Sequence, residues 1–332
     1  MKVCIVGAGA IGGFLGTRLA AAGVCQTSAL ARGATLEALR RHGWRLQTAE
    51  GLVTAPAAVA ADAAQLGVQD LVIIAVKAPA LAEVAASIAP LLGAETMVLP
   101  AMNGVPWWFV EGNPVLGREP LHSVDPGGRI GAAIPYESVL GCVIHASTFT
   151  TEPGLVQHKM GRGLIVGEAA GGESERARRV VDLFGQAGFD ATLSPRIRYD
   201  IWYKLWGNMT TNPVTAMTGA TADRLLDDPL ASAFCQAAMR EAAAIGQRIG
   251  CEITESPEDR HLVTRKLGAF RTSMLQDVEA GRPIELDGLV TVVREIGQRV
   301  GVATPNIDAL LGLTRLFARV RGLYPEEALK PS

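Results

Sequence analysis

Met1-Lys2-Val3-Cys4-Ile5-Val6-Gly7-Ala8-Gly9-Ala10-Ile11-Gly12 opens the chain, and this stretch decides the fold. An apolar strand pattern, Val3–Val6, runs into the spacing Gly-x-Gly-x-x-Gly, and a helical pattern, Ile11–Ala22, follows at once and stops at Gly23. A strand that turns through glycines into a helix is the context in which this spacing carries chemistry. Gly7 permits the tight turn, Gly9 lets backbone approach a pyrophosphate, and Gly12 lets the helix lie close on the strand. Ala8, Ala10 and Ile11 complete the turn, whose helix N-terminus offers N–H groups and the positive end of a dipole. A dinucleotide is expected over these six residues.

Working outward, Ser28–Ala31, Leu71–Val76 and Met97–Leu99 read as further strands, and Pro79–Ala89 as a helix between two of them. Leu71–Val76 is apolar on both faces, as a central parallel strand covered by helices on both sides must be. The expected fold is therefore α/β, a Rossmann-type doubly wound sheet. Ser138–Gly167 reads as antiparallel strands that could extend the sheet edge. From Ile197 the pattern is helical, with candidates at Ile197–Asn212, Asp228–Ile249, Glu258–Glu279, Ile284–Val300 and Asn306–Arg321. The division is placed near Pro195: a dinucleotide-binding domain over 1–195 and an all-α substrate domain over 196–332.

Composition agrees. A length of 332 residues suits two domains, and 48 % apolar with 19 % charged residues is a globular balance. Lys plus Arg number 31 against 33 Asp plus Glu, which gives no electrostatic basis for a nucleic-acid or membrane-surface role. No apolar run reaches the ~18–20 residues of a membrane span. The five scattered cysteines fit no disulfide framework, and the histidines show no metal-ligand spacing, so a cytoplasmic protein without a metal is expected.

The second strand leads into Ala29-Leu30-Ala31-Arg32, where an NAD site would carry an acid for the ribose 2′-hydroxyl. An Arg in that place suits a 2′-phosphate and hence NADP(H) rather than NAD, the lesser alternative being that Arg32 is a solvated loop residue. Lys77 and Asn103 each follow an apolar strand at the carboxyl edge, where open α/β sheets bind ligands. A strand-end Lys can as readily face water, and Asn103-Gly104 is also an ordinary turn.

The densest constellation is Trp202-Tyr203-Lys204-Leu205-Trp206-Gly207-Asn208-Met209-Thr210-Thr211-Asn212-Pro213. Lys204, Asn208 and Asn212 stand at i, i+4 and i+8, along one face of a helix, with two tryptophans beside them. One amine and two amides suit an anionic small molecule. Pro213 is expected to kink or end that helix. Taken alone, Ser273 and Glu285 read as an ordinary helix hydroxyl and a first-turn acid.

Together these residues resemble the ketopantoate reductases, within the larger 6-phosphogluconate-dehydrogenase-like group, over nearly the whole chain. The resemblance rests on Gly7–Gly12, Lys77, Asn103-Gly104, Pro153-Gly154-Leu155-Val156, Lys204-Leu205 with Asn208 and Asn212-Pro213, and Ser273-Met274-Leu275-Gln276-Asp277 followed by Glu285. It implies NADPH-dependent reduction of 2-dehydropantoate to (R)-pantoate, in pantothenate synthesis. Lys204 would be the proton donor, Asn103, Asn208, Asn212 and Ser273 would hold the substrate, and Asn103 and Glu285 would contact cofactor near the reacting carbon. Ala146 resembles a cofactor-contacting backbone position. Thr221 and Ala222 stand where some members carry a third substrate asparagine, and the segment from Pro106-Trp107-Trp108-Phe109 to Ser138 is longer and more aromatic than in compact members.

Chemistry agrees with that implication: a lysine near its reference pKa of ~10.4 is a stronger acid than an alcohol and can protonate the developing alkoxide. Two other functions fit the same residues. One is an NADP-linked reductase or dehydrogenase of a different 2-keto or 2-hydroxy acid, and the other a cofactor-binding sensor without catalysis, for which a proton donor has little use. The expected partner is a small 2-keto acid, and the helical domain could supply a homodimer face.

Overall fold

The computed structural model describes residues 1–326. They form two compact units, Met1–Gly112 with Asp125–Ile201, and Asn113–Val124 with the chain from Trp202 on.

In chain order the first unit runs β1 (Lys2–Val6), α1 (Ala10–Ala22), β2 (Gln26–Leu30), α2 (Gly33–His42), β3 (Trp44–Thr48), β4 (Gly51–Ala55), β5 (Ala58–Ala60), β6 (Leu71–Ile74), α3 (Ala78–Ser87), β7 (Met97–Pro100), α4 (Arg129–Ala133), β8 (Leu140–Glu152), β9 (Leu155–Glu168), α5 (Glu175–Gln186) and β10 (Asp190–Leu193). The first sheet has five parallel strands in the order β5-β2-β1-β6-β7. Val3, Ile5, Leu71 and Ile73 are fully buried, as the apolar runs require. Because every strand points the same way, the chain leaves β1, β2, β6 and β7 at one edge, and the strand order reverses beside β1.

Ser138–Gly167, expected at the edge of that sheet, instead builds a second one. Its strands run β10-β9-β3-β4, with β8 antiparallel to β9. A single parallel bridge, Val98 to Val139, joins this segment to the first sheet. The reason lies on α1, which is covered by both sheets. A Cβ at Gly13 would stand 2.5 Å from Val156 of β9, and one at Gly16 would stand 2.4 Å from the Trp44 ring of β3. Two glycines thus let the second sheet close over a helix whose Phe14, Leu15 and Leu19 are fully buried.

The second unit is helical: α6 (Ile197–Thr218), which begins in the first unit, then α7 (Ala222–Asp227), α8 (Pro229–Arg248), α9 (Pro257–Arg265), α10 (Ser273–Glu279), α11 (Val292–Arg299) and α12 (Pro305–Val320). Three expectations are corrected. The first helix does not end at Pro213 but continues to Thr218. Met209, Val214 and Ala216 are buried on both sides of the proline, so packing outweighs the lost N–H bond. Glu258–Glu279 is two helices, because Gly268 takes φ +64° after the first and Thr272 caps the second through Leu275 N–H. Ile284–Val300 opens with a π-helical turn, Asp287–Thr291, before α11. No described helix is long and apolar enough to cross a membrane.

Two segments lie across a cut at Pro195. Residues Arg196–Ile201 stay with the first unit because Ile197 fills the space beside Gly141 and Gly167. Asn113–Val124 joins the second, where the Asn113 amide donates to Ile249 O at 3.0 Å and Arg299 donates to Glu119 O at 2.6 Å. Glu295 accepts from the backbone N–H of His122 and of Ser123, both at 2.8 Å.

Burial alone would raise the Glu295 carboxyl, but the Ser123 hydroxyl, the Ser123 and His122 amides and Arg299 outweigh it and hold the group below its ordinary range. A depressed carboxylate stabilises the fold above its unfolded pKa, about 4.3, and that contribution is lost as pH falls through the folded value. The protection of the 113–124 amides against exchange, relative to the unfolded chain at the same pH, is therefore expected to fall on acidification below the ordinary carboxylate range. In Glu295→Gln that protection should be low already at neutral pH. Equal protection in variant and wild type would remove Glu295 from this role.

Candidate active site

In the first unit the glycine turn is built as its spacing demands. Gly7 takes φ +90°, and a Cβ there would stand 2.5 Å from Val76 beyond β6. A Cβ at Gly12 would stand 1.9 Å from the Gly7 carbonyl oxygen, so only glycine lets α1 lie this close to the turn. Ala8 is buried, and Ala10 and Ile11 form the first turn of the helix. Gly9 caps α1 without a side-chain bond, and an added Cβ would meet nothing within 4 Å. The N-terminus of α1 is thus left without a side-chain cap and with open space beside Gly9, an arrangement suited to a phosphate.

Around the same edge stand three other expected residues. Arg32 caps α2 at the exit of β2 and pairs with Glu83 of α3, the two side chains being 59 % and 67 % exposed. Lys77, exposed, is the N-cap of α3 just beyond β6. Asn103, also exposed, follows β7, with Gly104 at φ +85° completing the turn. Topology gathers all three with the glycines at the carboxyl edge of the parallel sheet. Ala146 lies elsewhere, in β8 of the second sheet, where the pairing with β9 slips between His145 and Ser147. Such a bulge re-aims the backbone at one residue.

In the second unit, Lys204, Asn208 and Asn212 all lie on α6. At 3.6 residues per turn, Lys204, Asn208, Thr211 and Thr215 fall within roughly 60° of arc, with Asn212 about 40° beyond. Trp202, Trp206 and Met209 hold the opposite side, each 1 % exposed or less, and the Trp206 indole donates to Met239 O of α8 at 2.7 Å. The core thus fixes which way the polar face looks. Lys204 and Asn208 are half-buried, whereas Asn212 is 5 % exposed.

Ser273, exposed, is the first residue of α10, and its position is set by the residue before it. The Thr272 and Thr215 hydroxyls lie 2.7 Å apart in the interior. Thr215 donates to Thr211 O at 2.7 Å, so its single proton is engaged and Thr272 must donate to it. This bond ties Ser273 to the α6 turn that carries Thr211 and Asn212. Glu285, half-buried, lies two residues before the π-helical turn, whose Asp287 is held by the hydroxyls of Thr291 and Tyr324 at 3.0 and 2.6 Å.

Sequence spacing did not single out Thr215, Thr272, Gly207 or Arg260. Gly207 carried the one available signal, since an interior helix glycine marks close approach. A Cβ there would stand 3.1 Å from Nε of Arg260 on α9. The aromatic run Trp107-Trp108-Phe109 is core, at most 4 % exposed, with the Arg198 guanidinium 5.9 Å over the Trp108 ring.

Comparison with known proteins adds to this geometry. Residues 3–171 match the family model "Ketopantoate reductase PanE/ApbA", and residues 196–318 match "Ketopantoate reductase PanE/ApbA C terminal". A 2-dehydropantoate 2-reductase of Mesorhizobium japonicum is 42 % identical over 326 residues, covering 98 % of this chain and 100 % of that protein. Among solved structures, a candidate ketopantoate reductase from Ralstonia solanacearum is similar at TM-score 0.94 and 59 % identity, over 97 % of this chain and 99 % of that one. A D-mandelate dehydrogenase solved with NADH and anilino(oxo)acetate shares the fold at TM-score 0.84 and 21 % identity, over 97 % of this chain and 100 % of that one.

Proposed function

Because the chain belongs to the ketopantoate reductase family of oxidoreductases, we propose that it reduces 2-dehydropantoate to (R)-pantoate with NADPH, Lys204 supplying the proton. The observation that carries this reading is the polar face of α6, an amine and two amides set opposite a tryptophan core and tied through Thr215 and Thr272 to Ser273. A nicotinamide dinucleotide suits the first unit, since Gly9 leaves its side of the turn clear and Gly7 and Gly12 leave no room for side chains. When bound, that cofactor supplies the hydride for the 2-keto carbon.

The remaining work falls to the chain. Gly7 to Gly12 seat the pyrophosphate on backbone N–H groups, with Arg32 and Lys77 adding positive charge and Asn103, Ala146 and Glu285 contacting the cofactor. Asn208, Asn212 and Ser273 donate hydrogen bonds to substrate oxygens in fixed geometry. The Lys204 ammonium stabilises charge developing on the carbonyl oxygen and then protonates it. We place this reaction in the reducing cytoplasm, a setting that suits the thiols of the described cysteines.

For NADPH, Arg32 would exchange Glu83 for the 2′-phosphate, and an ion pair this exposed holds it by only about 0–1 kcal/mol. Arg32→Ala is expected to raise KM for NADPH roughly 10–100-fold and to leave KM for NADH nearly unchanged. A wild-type preference for NADH, or unaltered NADPH affinity in the variant, would refute the NADP assignment.

One observation favours a second reading, a different 2-keto acid on the same scaffold. Thr221 directs its hydroxyl to Asp223, so the place of a third substrate asparagine is taken by a locally engaged side chain. A panel of 2-keto acids decides: rapid turnover of another acid with none of 2-dehydropantoate would establish the second reading.

A further inference from the structure

Arg260 stands on α9, partly buried, against the flank of α6. Its guanidinium lies 4.7 Å from the Tyr203 ring centroid, with Nη1 3.4 Å from the Tyr203 hydroxyl. On the other side it packs on Gly207, where the position of a Cβ is 3.1 Å from Nε and 3.3 Å from Nη2. Tyr203 and Gly207 are one turn apart on α6, so the cation runs along the helix immediately beside the face of Lys204 and Asn208. A side chain larger than glycine at 207 would push it away.

Among the described residues this guanidinium makes no direct ion pair. Its Nε is buried and takes no hydrogen-bond partner among the described residues. None of the neighbouring acids pairs with it directly: Glu255 meets it only through the Tyr203 hydroxyl that both contact, Glu258 pairs with Arg240, and Asp259 accepts at 2.6 Å from the hydroxyl of Ser256, the N-cap of α9. A partly buried cation without a direct carboxylate partner is costly to retain, and such costs concentrate where a ligand supplies the missing partner. The amides and hydroxyls of the α6 face can donate to an anion but cannot neutralise it. A planar guanidinium can do both, through two parallel N–H bonds to a carboxylate.

We propose that Arg260 is a further substrate-binding residue, whose guanidinium pairs with the carboxylate of the 2-keto acid and so selects acids over their neutral analogues. Tyr203 and Gly207 are its positioning residues, one stacking on the cation and the other making room for it. The inference rests on the reading of the chain as a 2-keto-acid reductase, and the experiment separates the two.

The full-length protein is assayed for NADPH oxidation with 2-dehydropantoate and with its carboxamide, and pantoate and pantoamide binding are measured by calorimetry so that slow turnover of the amide leaves no gap. Arg260→Gln is expected to lower kcat/KM for the acid roughly 10–100-fold, chiefly through KM, with a matching loss of pantoate affinity. Constants for the amide should change less than about threefold, because the variant removes charge rather than shape. Arg260→Lys should fall between, keeping the charge and losing the fork; it carries the same comparison if the glutamine variant does not fold. Parallel losses for acid and amide, as a merely structural role would give, overturn the proposal, and so does an unchanged acid. A wild-type protein that reduces no 2-keto acid would instead refute the reductase reading.

Discussion

Lys204→Ala is expected to lower kcat by roughly 10²–10⁴ while leaving NADPH affinity nearly intact. The expectation follows from where the residue stands. Lys204 lies on the polar side of a helix whose other side is locked by Trp202 and Trp206, so its removal empties one position without loosening the frame. The loss should fall on kcat, since in the proposed mechanism the amine acts on charge that develops only as hydride arrives. Lys204→Arg separates the two parts of that action. A guanidinium keeps the positive charge and does not release a proton in the working pH range, so this variant should remain impaired. Stopped-flow rates with NADPH titrations by fluorescence give both quantities, and wild-type turnover in Lys204→Ala would remove the lysine from the chemistry.

The second large effect lies in the glycine turn, where two substitutions of the same size should behave differently. At Gly12 a methyl group would sit 1.9 Å from the Gly7 carbonyl oxygen and 3.0 Å from an Ile5 methyl, both in rigid surroundings. Gly12→Ala should therefore cost about 1–3 kcal/mol or more in stability and abolish dinucleotide binding together with the turn. At Gly9 a methyl group meets nothing within 4 Å, so Gly9→Ala should melt with the wild type. On the proposed reading its methyl nevertheless occupies the side of the turn from which a pyrophosphate approaches, and NADPH affinity should fall at least tenfold, about 1.4 kcal/mol. Thermal unfolding and fluorescence titration of both variants test the contrast. Wild-type NADPH affinity in Gly9→Ala would place the dinucleotide elsewhere.

The parts legible in the sequence were those with a short-range cause. The first turn and the strands around Val3, Leu71 and Met97 follow from local apolar runs and from glycines that had no other use. The second sheet was hidden because β3 pairs with β9 across more than a hundred residues, and a register between distant strands leaves no periodic trace in either. Its only advance notice was the pair Gly13 and Gly16, which in sequence look like ordinary small helix residues. The continuation of α6 through Pro213 was misread for a related reason, since burial on both sides of the proline is a property of the fold and the penalty of proline is a property of the residue. On the candidate site, Lys204, Asn208 and Asn212 were visible as a helical spacing. Thr272 and Arg260 were not, because each reaches α6 from another helix. Asp223 holding Thr221 likewise required coordinates.

The reductase reading stands most directly on a single-turnover reaction of the protein with 2-dehydropantoate and NADPH carrying deuterium in both C4 positions of the nicotinamide. It predicts (R)-pantoate with deuterium at C2, formed at a rate that Lys204→Ala reduces by at least a hundredfold. Absence of label from pantoate, or label transferred at the same rate without the lysine, would contradict it.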